Sequence, residues 1–91
     1  VGSERLDKRK RLGLRSRGQL IRPSVIVGKE GLSDKVIHEL ERQLKKTKLV
    51  KVKLLSSPEE GVRAFAERMS AASHAELIET RGKTVLLYRE H

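Results

Sequence analysis

Gly28-Lys29-Glu30-Gly31 stands between a proline-led run of β-branched residues and Ser33-Asp34, where an amphipathic pattern begins. Two glycines flanking a lysine in this setting could hold a phosphate. A loop that leaves a strand and enters a helix presents the unpaired amides of the helix N-terminus, here around Gly31 to Asp34. The glycines would let a sugar-phosphate chain approach without a Cβ in the way, and Lys29 would add a point charge. The same spacing, G-x-x-G, clamps a nucleic-acid backbone in KH domains, where it joins two helices. It is equally compatible with a plain turn, because a four-residue pattern of this kind recurs by chance.

The distribution of charge favours the phosphate. The 91 residues carry 21 basic and 12 acidic side chains, a net charge of +9. Residues 1–31 alone hold nine basic and three acidic side chains, so one third of the chain has two thirds of the excess. A charged surface that serves solubility mixes both signs; an uneven basic field points to a polyanion, most often nucleic acid. Lys8, Arg9, Arg11, Arg15 and Arg17 would supply that field from the N-terminal segment, with Lys51 and Lys53 from a later one. Each of these, taken alone, reads as a solvated charge. Phe65 and Tyr88 are the two aromatics, and both suit a core. A domain without exposed rings grips phosphates and 2′-hydroxyls, and reads the shape of folded RNA more than its sequence.

Other chemistry is excluded by what the chain lacks. The absence of cysteine removes disulfides, thiolate zinc sites and a cysteine nucleophile. His38, His74 and His91 have no metal-ligand spacing, and no Ser-His-Asp arrangement can be assembled. Glu59 and Glu60 read as acids at a helix N-terminus, not as an acid/base pair. The glycine loop lacks the length and the Lys-Ser/Thr ending of a P-loop, and is too short for a dinucleotide fingerprint. The expectation is a binding module, not an enzyme, with no cofactor and no metal. With no signal peptide and no apolar run near the length of a membrane span, a cytoplasmic protein without a membrane partner is expected. Val1-Gly2-Ser3, lacking an initial methionine, reads as a remnant of processing or cloning.

The elements that must position these residues follow from periodicity. Residues 4–17 read as a basic helix with a thin seam of Leu6, Leu12 and Leu14, weakened by Gly13 and capped by Gly18. Pro23 opens an extended segment, Ser24 to Val27. Ser33 caps a helix over 33–46 that turns Val36, Ile37, Leu40 and Leu44 to one side and ends near Thr47. Residues 49–55 alternate, with Val50, Val52 and Leu54 on one face and Lys51 and Lys53 on the other. Ser57-Pro58-Glu59-Glu60 reads as a capping box opening a helix that buries Val62, Phe65, Ala66, Met69 and Ala72. Strands over 75–80 and 83–88 close the chain around a turn at Arg81-Gly82. The order is helix, then β-α-β-α-β-β: one α/β domain over residues 1–91 with a four-stranded mixed sheet. Strand-helix-strand units imply parallel neighbours with both crossover helices on one face. The last strand is apolar on both faces, so the N-terminal helix is expected to cover the second.

The segments "LDKRKRLGL", "IRPSVIVGKEGLSDKVIHELERQL", "LVKVKLL" and "RGKTVLLYR" together resemble the CRM domain, named for chloroplast RNA splicing and ribosome maturation. The small YhbY-like proteins are its stand-alone members. The resemblance spans nearly the whole chain and is most specific in "VGKEGLS" and "GKTVLLYR". It implies an RNA-binding domain with the fold of the C-terminal domain of translation initiation factor three. It also implies that Gly28 to Gly31 contacts RNA together with basic residues of the N-terminal helix. Stand-alone members associate with precursors of the large ribosomal subunit, whereas members in plant organelles carry several copies and assist group II intron splicing. A single domain favours the ribosomal role: a monomer that binds structured large-subunit ribosomal RNA within a pre-ribosomal particle. An intron-splicing cofactor, a general RNA chaperone or a basic protein-interaction module are the alternatives. Glu30 departs from the family pattern, placing a negative charge where a polar or basic residue is usual.

Overall fold

The computed structural model describes residues 7–90. Its elements are α1 (Lys8–Gly18), β1 (Val25–Val27), α2 (Asp34–Thr47), β2 (Leu49–Leu54), α3 (Val62–Ala72), β3 (Glu76–Arg81) and β4 (Thr84–Tyr88). The strands form one sheet in the order β1-β2-β4-β3. β1 and β2 are parallel neighbours, as the β-α-β reading requires, with Val25 opposite Val52 and Val27 opposite Leu54. β2 and β3 also run the same way, but they are not neighbours as expected: β4 lies between them, antiparallel to both. The physical reason is in β4 itself. Val85 and Leu87 point into one core while Leu86 and Tyr88 point into another, and a strand apolar on both faces belongs inside a sheet.

The larger core lies between the sheet and the two crossover helices. Leu40 and Leu44 of α2 and Phe65, Ala66 and Met69 of α3 pack on Val50, Val52 and Leu87. α2 forms where expected. Its Ser33 hydroxyl accepts from the Val36 amide (3.3 Å), and Asp34 sits in the first turn where the dipole favours it. Lys48, at φ 69°, stops the helix by donating its amide to the Leu44 carbonyl (2.9 Å).

α3 starts later than the capping-box reading placed it. Residues 58–60 form a turn, closed by the Gly61 amide donating to the Pro58 carbonyl (3.0 Å). Gly61 takes φ 98°, a conformation outside any helix that glycine adopts without strain. The helix begins at Val62, without a side-chain cap, and Glu60 pairs with Arg68 instead (2.7 Å). Ala72 is exposed rather than buried. The buried position falls on Ser73, whose hydroxyl donates to the Met69 carbonyl (2.8 Å) while its carbonyl accepts from Arg89 (2.8 Å). The hairpin loop is Gly82-Lys83, one residue beyond the expected turn, with Arg81 still paired to Thr84.

α1 covers the second face, where Leu14 joins Leu49, Ile78, Leu86 and Tyr88. Leu12 is 52% exposed, so it does not belong to the seam, and Leu6 lies outside the described residues. Gly18 is not the cap. It is the last helical residue, buried against β4, and Gln19 ends the helix with right-handed backbone. A Cβ on Gly18 would lie 3.1 Å from Leu86 Cγ and closer still to its two methyls. Glycine is therefore placed there by close approach of helix to sheet. Arginines supply what the thin seam lacks: Arg11 donates to the Leu77 carbonyl (3.0 Å) and to Glu76 (3.2 Å). Arg15 Nε lies 3.2 Å from a Glu79 carboxylate oxygen, an ion pair without hydrogen-bond alignment. A β-bulge between Leu77 and Glu79 makes this pairing possible, because it sends both Ile78 and Glu79 to the α1 side.

Candidate nucleic-acid interface

Gly28-Lys29-Glu30-Gly31 leaves the C-terminal end of β1 and enters α2, as the sequence required. Lys29 and Glu30 are exposed at the tip of a turn closed by the Gly31 amide on the Gly28 carbonyl (3.1 Å). Gly31 has φ 71°, the left-handed region, and its glycine is needed for that reason. A Cβ there would make only ordinary contact with Phe65, at 3.9 Å. Glu30 folds back toward Gly28, with a carboxylate oxygen 3.5 Å from where a Gly28 Cβ would stand. Among the amides of residues 31–34, those of Gly31 and Ser33 are already engaged, with the carbonyls of Gly28 and Gly31. The turn therefore offers fewer donors to an anion than an open helix N-terminus would.

Parallel pairing brings other segments to the same end of the sheet. The Leu55 amide donates to the Val27 carbonyl (3.0 Å), and the Leu54 amide to the Lys83 carbonyl (2.8 Å). The Gly28–Gly31 loop, the 55–61 loop and the Gly82-Lys83 turn are thus neighbours. Lys53 pairs with Thr84, next to Lys83, so Lys29, Lys53 and Lys83 share this end. All three are exposed and none forms an ion pair with another described residue. Lys83 was not among the sequence candidates. Its place beside Lys53 depends on β4 entering the sheet next to β2, which no local pattern announces.

The basic residues of α1 divide into two groups. Arg11 and Arg15 are held by acids of β3 and tie the helix down. Lys8, Arg9 and Arg17 are exposed and not ion-paired among the described residues. Lys8 and Arg9 open the helix and Arg17 lies near its other end. Lys10 pairs with Glu90 (3.6 Å) and lies over the Tyr88 ring (5.4 Å), so the start of α1 sits at the Tyr88 end of the sheet. That end pairs with Leu49, the first residue of β2, whereas Lys29 is beyond its last. Lys8 and Arg9 are therefore separated from the glycine loop by the length of β2, roughly 17 Å. Arg17 precedes the Gly18-Gln19 end of α1, which borders a shallow groove with Lys51, Arg81 and Thr84. Lys51 is half-buried and donates to the Ile21 carbonyl (3.4 Å), a positioning contact more than a free charge.

Charge tuning follows the same division. The Tyr88 hydroxyl and then the Lys10 ammonium hold the Glu90 carboxyl below the usual carboxylate range, and Tyr88 with Glu90 raises Lys10. Glu60 is lowered by its own amide and by Arg68. Among the described residues no group of acids and histidines could hold a metal ion, and no helix is long and apolar enough to cross a membrane.

Known proteins are similar to this chain over nearly its whole length. The probable RNA-binding protein PA4753 of Pseudomonas aeruginosa is 34% identical over 86 residues, covering 94% of this chain and 83% of that one. The probable RNA-binding protein YqeI of Bacillus subtilis is 36% identical over 83 residues, covering 91% and 85%. The solution structure of the hypothetical protein SAV1595 from Staphylococcus aureus superposes with a TM-score of 0.82 at 29% identity, covering 94% of this chain and 90% of that one. Residues 6–89 match the CRS1/YhbY (CRM) domain. The chain belongs to the CRS1/YhbY (CRM) domain family.

Proposed function

We propose that this protein binds structured RNA through the phosphate backbone, without catalysis, at the end of the sheet where the Gly28–Gly31 loop meets Lys53 and Lys83. The observation that carries the reading is the convergence of three exposed lysines from three separate segments at one end of the sheet, none of them ion-paired among the described residues. Exposed lysines act as point charges on phosphates. Both aromatics are buried, so stacked single strands have no platform here. Relatives named as probable RNA-binding proteins support the ligand class. The RNA we assign is large-subunit ribosomal RNA or its precursor, bound by a cytoplasmic monomer during subunit assembly. Sedimentation of a cell lysate tests this. The protein should travel with large-subunit precursors and return to the top of the gradient after ribonuclease treatment. Sedimentation that survives ribonuclease would instead favour a protein partner for the basic surface.

A further inference from the structure

Between the Gly28–Gly31 loop and the 55–61 loop lies a cleft of about 270 Å³. Its lining is apolar at Val27, Leu54 and Phe65, with Lys29 and the glycines on one flank and Pro58 and Glu59 on the other. It opens at the C-terminal ends of the two parallel strands, the crevice where open α/β sheets take ligands. Glu60 is committed to Arg68, whereas Glu59 is exposed and has no ion-pair partner among the described residues.

A cleft with a basic flank and an acidic flank is a poor site for consecutive phosphates. It suits a molecule that is anionic at one end and rich in hydrogen-bond donors at the other. A nucleotide has that polarity: its phosphate at Lys29, its base between the two loops, its donor edge at Glu59. An ionised carboxylate only accepts, so it discriminates among bases. Guanine offers two adjacent donors, N1–H and the 2-amino group, to a single carboxylate. Adenine and cytosine offer one amino group beside an acceptor nitrogen. Uracil presents one N–H between two carbonyl oxygens, which a carboxylate repels.

We infer that this cleft is a nucleobase site that receives one unpaired nucleotide of the bound RNA, preferring guanine over uracil, with Glu59 as the specificity-determining residue. The inference rests on the RNA reading above and adds one base-reading point to a surface that otherwise reads backbone. It also accounts for an acidic side chain beside the basic loop, where it would merely oppose phosphates.

The test uses three RNA hairpins, identical except for no bulge, a single guanine bulge or a single uracil bulge, with binding followed by fluorescence anisotropy. The guanine-bulged hairpin should bind about tenfold more tightly than the uracil-bulged one, the range of a two-bond base contact. Glu59→Ala should bring the two within twofold. Removing a negative charge also adds the same electrostatic gain to all three hairpins, so the guanine-to-uracil ratio, in which that gain cancels, is the readout. Equal binding of both bulges by the unaltered protein, or a ratio that persists in Glu59→Ala, overturns the cleft and leaves RNA binding standing. Failure to bind any hairpin at low salt overturns the RNA reading and this inference with it.

Discussion

Lys29 stands exposed at the tip of a turn, with no ion pair among the described residues, so its loss should be felt by RNA alone. Each phosphate contact contributes about one unit to the slope of log K against log salt. Lys29→Ala should lower that slope by about one, and Lys29→Ala with Lys53→Ala and Lys83→Ala by about three, while the melting temperature stays unchanged. Lys46→Ala, at the far end of α2, is the control and should leave the slope as it is. Glu30→Lys should strengthen binding, because the carboxylate folds back over the loop that carries Lys29. A triple variant with the native slope would show the loop to be only a turn. At this scale the sequence was informative where the chemistry is local: glycines, lysine and Ser33 cap lie within six residues. It was silent on Lys83, which acquires its neighbours through strand pairing.

The elements are joined by a few close contacts, and α1 is the most dependent on them. Gly18→Ala forces a Cβ against Leu86, itself buried, and should destabilise the protein by about 1–2 kcal/mol in denaturant unfolding. Gly13→Ala in the same helix meets nothing within 4 Å and should stabilise by about 1 kcal/mol through helix propensity. Opposite signs from the same substitution five residues apart would separate packing from propensity; equal signs would contradict the placement of α1. At the start of α3, Glu60 has a lowered pKa in the folded state. Its contribution is therefore complete above the ordinary carboxylate value and is lost as pH falls through the lowered one. Glu60→Gln should flatten that acid limb of the melting-temperature profile slightly, the ion pair with Arg68 lying at the surface where solvent screens it. α2 was legible because cap, dipole and apolar spacing agree. The start of α3 was not, because Ser57-Pro58-Glu59-Glu60 satisfies the local pattern while Gly61, at φ 98°, breaks it.

Across the whole molecule, Lys8 and Arg9 stand at one end of the sheet and Lys29, Lys53 and Lys83 at the other, with the ion-paired Arg11 and Arg15 on the covered face. A backbone reader making roughly four to six phosphate contacts should show a salt slope of roughly −3 to −5, with folded RNA preferred to single strands of equal length. Lys8→Ala with Arg9→Ala should weaken binding to a long stem but leave a stem too short to span the sheet unaffected. Loss of affinity for both stems alike would mean that the two ends act as one site. The sequence by itself determined the α/β class, the order of elements, the parallel β1–β2 pair and the glycine loop at a strand-to-helix junction. Periodicity, caps and proline act within a few residues, and those features are written at that range. Only the tertiary structure decided that β4 enters between β2 and β3, since a two-faced apolar strand states that it is buried but not between which partners. The same insertion placed Lys83 beside Lys53, and the bulge in β3 turned Glu79 toward Arg15, converting part of a basic helix from RNA-facing charge into the clasp that holds it on the sheet.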